Sequence, residues 1–114
     1  MKDNVVKDKS LEFAVRIVNL YKFLVNEQKE FVMSKQILRS GTSIGANIRE
    51  AEQAQSRADF INKLNIALKE ANETEYWLEL LIRTEYITRE QYESINNDST
   101  ETVSYTHLTL PTIA

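Results

Sequence analysis

Cysteine is absent from this chain, which excludes disulfides, thiolate metal sites and cysteine nucleophiles and fits a reducing compartment. Histidine occurs once, as His107, in a C-terminal segment unlike everything before it. Without that segment neither a serine triad, a Cys–His pair nor a zinc site can be assembled, and the Glu-x-x-His pairs of carboxylate-bridged iron bundles cannot be built. No apolar run approaches the ~20 residues that span a bilayer, and the opening MKDNVVKDKS lacks the apolar centre of a signal peptide. The expected compartment is the cytoplasm, with no membrane partner. A net charge of −3 and a pI near 5.2 are not the basic balance by which nucleic-acid binders usually declare themselves. These absences predict a protein that is not an enzyme, with no cofactor, no metal and no small-molecule substrate.

What is present is the pattern of a small helical domain, with 42% hydrophobic and 27% charged residues in 114. A core of this size hides a modest share of the surface, so an oligomer that covers one more apolar stripe helps physically. Phe13, Ile17, Leu20 and Leu24 recur at steps of four and three, which predicts a first helix from Ser10, as N-cap, to about Glu27. NEQKEFVMS reads as a connection with Phe31 and Val32 tucked beneath it, and Ser34 as the N-cap of a second helix carrying Ile37, Gly41, Ile44, Ile48 and Ala51. Ser56 and Asp59 resemble a capping box before the longest element, whose seam is Phe60, Leu64, Ala67, Ala71, Thr74, Leu78 and Leu81. Thr88 and Gln91 form a second box, opening a fourth helix with Tyr92 and Ile95 as its first inward residues.

After Glu101 the chain reads TVSYTHLTLPTIA, without a charged residue, with the only proline and the only histidine, and without a helical period. VSYTHLTLPT written back codon by codon as GTCTCTTATACACATCTGACGCTGCCGACG is similar to a transposon-end sequencing adaptor read in frame. The expected organisation is therefore a bundle domain over 1–101 and a non-native, adaptor-derived tail over 102–114, with no functional weight on His107 or Pro111. The fold class is all-α: an antiparallel up-and-down four-helix bundle whose fourth helix is cut short near Glu101.

Glu70, Glu73, Glu75 and Glu79 suggest paired carboxylates, but Glu79 with Arg83 and Glu85 with Arg89 stand at i, i+4, as on a solvated helix face. Glu75 differs, sharing the flank of Leu68 and Ile82, where an acid calls for a cationic or amide partner. Tyr76 and Trp77 read as packing at a core edge rather than a base-stacking platform. Both glycines, Gly41 and Gly45, fall in one helix beside Ser40, Thr42, Ser43 and Ala46. Each costs a helix interior about 1 kcal/mol relative to alanine, a loss that close approach of another helix offsets. That approach is either an internal crossing or a subunit interface, and size alone favours neither.

SKQILRSGTSIGANIREA and QSRADFINKLNIALKEANETEYWLELL closely resemble the four-helix bundle family encoded within intervening sequences of bacterial 23S ribosomal RNA genes, also labelled S23 ribosomal protein. The resemblance spans about Ser10 to Glu101, and the segment beyond departs from the family's pattern. It implies an up-and-down bundle that assembles into a ring, commonly a pentamer. It also implies kinship with the accessory bundle of diversity-generating retroelements, where a basic barrel engages nucleic acid and a reverse transcriptase.

Two readings of function follow. In the first, the protein is a scaffold or adaptor that self-associates, with Ser40, Gly41, Ile44, Gly45 and Ile48 at a helix–helix or subunit interface. In the second, it is an accessory protein that binds RNA or DNA through Lys35, Arg39, Arg49, Arg57 and Lys63, against the opposing field of Glu50, Glu52 and the acids of the third helix.

Overall fold

Chain segments with an apolar seam flanked by charge fold as helices here, and four of them account for most of residues 5–111, which the computed structural model describes. They are α1 (Val5–Asn26), α2 (Met33–Glu52), α3 (Arg57–Arg83) and α4 (Arg89–Thr109). Each helix packs on its neighbour in sequence and α4 closes against α1, giving an up-down-up-down bundle with extents of 45 × 21 × 19 Å. The 27 residues of α3 run most of that length, as a rise of about 1.5 Å per residue requires.

The core is built as the periodicity predicts from α1 to α3. Phe13, Ile17, Leu20 and Leu24 meet Ile37, Ile44, Ile48 and Ala51, and Leu64, Ala67, Ala71, Leu78 and Leu81 complete it. Thr74, also in the seam, is buried and donates to the Ser40 hydroxyl at 3.0 Å, so this polar pair across α2 and α3 is internally satisfied. Ser56 caps α3 by accepting from the Asp59 amide at 3.0 Å, and Thr88 and Gln91 form a complete capping box on α4.

Four expectations differ. Helix α1 begins at Val5 rather than Ser10, because the inner stripe extends back to buried Val6; Ser10 is a mid-helix residue donating to the Lys7 carbonyl. Ser34 is buried inside α2 and does not cap it. The cap is Glu30, whose carboxylate accepts from the amides of Val32, Met33 and Ser34 at 3.1, 3.0 and 2.7 Å. That arrangement turns the connection outward, leaving Phe31 and Val32 exposed instead of tucked under. Finally, α4 does not stop near Glu101 but continues to Thr109. Its buried positions are Ile95, Ser99, Thr102 and Thr106, so a helical period carried mainly by hydroxyls is present where none was expected. Pro111 lies just beyond the helix, and residues 112–114 of the tail lie outside the described residues.

Candidate functional site

The two glycines of α2 lie on adjacent lines of one helix, yet they face different surroundings. A β-carbon on Gly41 would stand 2.7 Å from Cγ1 and 2.8 Å from Cγ2 of Ile17, so this glycine exists to let α1 cross α2 within the protomer. Ser40, Ile44 and Ile48 are also buried, Ser40 against Thr74 of α3, and all four belong to the bundle interior rather than to the outer surface. Gly45 is half-exposed, with the Ser10 carbonyl 3.4 Å from where its β-carbon would be. It lines an apolar groove of about 260 Å³ between α1 and α2, with Leu11, Ala14, Thr42 and Ala46.

Leu11 and Val15, four residues apart on α1, are 52% and 53% exposed along this face. The rim carries Lys7 and Arg49, with Asp8 and Glu12 exposed nearby on α1. Lys7 pairs with Glu52 across the rim at 3.6 Å. Sequence reasoning passed over Leu11 and Val15, although the second apolar stripe of α1 was visible in Leu11, Val15 and Val18 beside the Phe13 seam.

The five candidate cations do not gather into one patch. Arg39 pairs with Glu70 at 3.3 Å and with Glu73, and Lys63 pairs with Glu50 at 3.0 Å, which raises the Lys63 pKa through that bond. Lys35, Arg49 and Arg57 are exposed, but Lys35 opens α2 and Arg57 opens α3, so about 25 Å of helix separates them. Arg49 joins both the apolar groove and a wide, shallow polar recess with Glu50, Gln53, Gln55, Asp59 and Lys63.

The carboxylates of α3 disperse likewise. Glu70 and Glu73 turn toward α2, and Glu79 pairs with Arg83 at 3.1 Å. Glu85 and Arg89 do not share a helix, because a turn separates them. Glu75 sits half-buried away from these, and burial pushes its carboxyl above the usual range. The Trp77 indole donates to Glu73 at 3.1 Å and meets the Tyr76 ring edge-on at 5.1 Å between centroids, the geometry of packing at a core edge. Among the described residues no group of three or more His, Asp or Glu side chains is placed to hold a metal ion, and no helix is long and apolar enough to cross a membrane.

A four-helix bundle of this kind defines a class of small helical protein. Residues 2–107 match the family model of the 23S rRNA-intervening sequence protein, and the chain belongs to that family. It is similar, with 91% identity and a TM-score of 0.95, to the crystal structure of a protein of unknown function from the S23 ribosomal protein family of Bacteroides thetaiotaomicron VPI-5482. That alignment covers 98% of this chain and 100% of the other. No curated protein matches.

Proposed function

We propose that this protein is a non-enzymatic scaffold or adaptor that self-associates through the outer face of α1 and its groove with α2. The observation that supports this reading is the exposure of Leu11 and Val15, one turn apart on the same helix, beside an apolar groove lined by Gly45 and Ala46. A second copy suits the face, because its apolar centre is ringed by both cations, Lys7 and Arg49, and carboxylates, Asp8 and Glu12. The ring implied by family resemblance is one closed form of such an assembly.

Nucleic-acid binding is the weaker reading on this surface, since Arg39 and Lys63 are engaged by carboxylates and Lys35 lies at the end of the bundle opposite to Arg49 and Arg57. The test is Leu11→Asp with Val15→Asp, two exposed substitutions that leave the core intact. Light scattering is expected to give the mass of a single chain for the double variant and a multiple of it for the unaltered protein, with unchanged helical circular dichroism. An unaltered protein that is monomeric, or a variant that keeps the full assembly mass, would remove the proposal.

A further inference from the structure

Gly45 carries a local cost that nothing inside the protomer offsets. At Gly41 the space in front of the backbone is filled by Ile17, so close packing compensates for the poor helix propensity of glycine. At Gly45 a β-carbon would meet nothing nearer than Ser10 at 3.4 Å, an ordinary contact, so alanine would fit and favour the helix more. The space that Gly45 leaves open belongs to the apolar groove of about 260 Å³ between α1 and α2, which faces outward. An apolar cavity of about 150 Å³ suffices for benzene, so this groove has room for a phenyl ring.

At the opposite end of the same helix pair an apolar pair stands out from the bundle. Phe31 and Val32 are 51% and 72% exposed in the turn between α1 and α2. That turn is firmly bonded. The buried Glu30 carboxylate accepts from three amides, the Glu30 amide donates to the Leu24 carbonyl at 2.9 Å, and the Gln28 side chain donates to the Tyr86 carbonyl at 2.9 Å. Lys29 adopts φ 56°, a left-handed conformation disfavoured for a residue with a side chain. Local bonds and a strained backbone thus hold two apolar side chains in water, against the hydrophobic effect.

We infer that Phe31 of one copy seats in the α1–α2 groove of a second copy, bringing Val32 to its rim. This contact rests on the self-association proposed above and is the part of it that fills the groove. About 20 Å of α2 lies between Met33 and Gly45, so no chain fills its own groove. Charge matches as well as shape. Around the groove Asp8, Glu12 and Arg49 are exposed, while Lys7 is already paired with Glu52. Around the turn Glu27, Lys29 and Lys35 are exposed, and none of these exposed charges makes an ion pair among the described residues. The rim is therefore net negative and the turn net positive, so docking brings opposite fields together. Such a contact repeats from copy to copy and closes into a ring where the rotation permits.

Light scattering on Phe31→Ser and on Ala46→Leu, both at exposed positions, is expected to show assembly only at about ten-fold or higher protein concentration than the unaltered chain needs, with helical circular dichroism unchanged. Because the chain has no cysteine, single-cysteine variants report the contact directly. Val32→Cys and Ala46→Cys mixed under mild oxidation are expected to give a disulfide-joined two-chain product several-fold in excess of that from either variant alone. Full assembly by Phe31→Ser or by Ala46→Leu, or equal product from mixed and separate variants, would overturn the inference. If Leu11→Asp with Val15→Asp still dissociates the assembly in that case, the outer face of α1 stands as the interface and only the seating of Phe31 is lost. An unaltered chain that is monomeric removes both.

Discussion

A methyl group added at Gly41 and one added at Gly45 meet opposite receptions. At Gly41 it would press on Ile17, itself fully buried, whose Cβ is only 3.2 Å away and cannot rotate clear. Overpacking of this kind costs about 1–3 kcal/mol, more than the ~1 kcal/mol that alanine returns in helix propensity. At Gly45 the nearest atoms are those of Ser10 at 3.4 Å, close to ordinary contact, so the propensity gain survives. Urea unfolding should therefore show Gly41→Ala destabilised and Gly45→Ala unchanged or stabilised by up to about 1 kcal/mol. Shifts of the same sign in both variants would contradict the geometry. The sequence shows two glycines one turn apart on nearly one side of a helix, and that is enough to locate a close crossing. It does not show that Ile17 occupies the space in front of the first alone, because a small difference in azimuth separates the floor of a groove from the interior.

Helix ends show which part of the fold is local enough to read from the chain. The Ser56–Asp59 and Thr88–Gln91 caps are bonds between residues three apart, and both were visible as spacing. Glu30 capping α2 is equally close in sequence, but a carboxylate preceding a helix by several residues resembles any charged loop residue until its three amide bonds are seen. At the far end of α3, the Tyr86 amide donates to the Leu81 carbonyl at 2.9 Å and the Glu85 amide to Ile82 at 3.0 Å, the paired bonds of a Schellman motif. Glu85 occupies its left-handed position with φ 65°, where glycine is the usual residue. Glu85→Gly should raise stability by about 1 kcal/mol, read as a shift of the denaturant midpoint at constant slope. A loss would show that the Glu85 side chain matters more than its backbone. Helix α4 past Glu101 was illegible for another reason. Thr100, Thr102, Thr106 and Thr109 each return their hydroxyl to the carbonyl four residues back, which lets threonines ride a helix that no apolar period announces.

For the molecule as a whole, topology was legible because four seams with short connections admit few arrangements, whereas the outer faces were not, since exposure of Leu11 and Val15 depends on which flank α1 turns to its neighbours. The balance of that packing also fixes how the bundle responds to acid, through two carboxylates of opposite tendency. Burial alone would raise the pKa of Glu30, but the amides of Met33, Ser34 and Val32 outweigh it and hold the carboxyl below its ordinary value. Glu75 is raised by burial with no compensating bond. Between the depressed folded pKa and the ordinary one, the unfolded chain binds more protons at Glu30, so its stabilisation is complete above the ordinary value and is lost as pH falls through the folded one. For Glu75 the folded chain binds more protons between the ordinary value and its raised one, so stability increases as pH falls through that raised value. Stability measured by urea unfolding from neutral pH down to about pH 3 should separate the two when variants are compared with the unaltered chain. Glu75→Gln should be more stable than the parent at neutral pH and lose that advantage on acidification. Glu30→Gln should be less stable at neutral pH and converge with the parent in acid, because the protonated parent has already lost the charged cap. Difference profiles flat with pH would mean that neither carboxyl changes its proton affinity on folding.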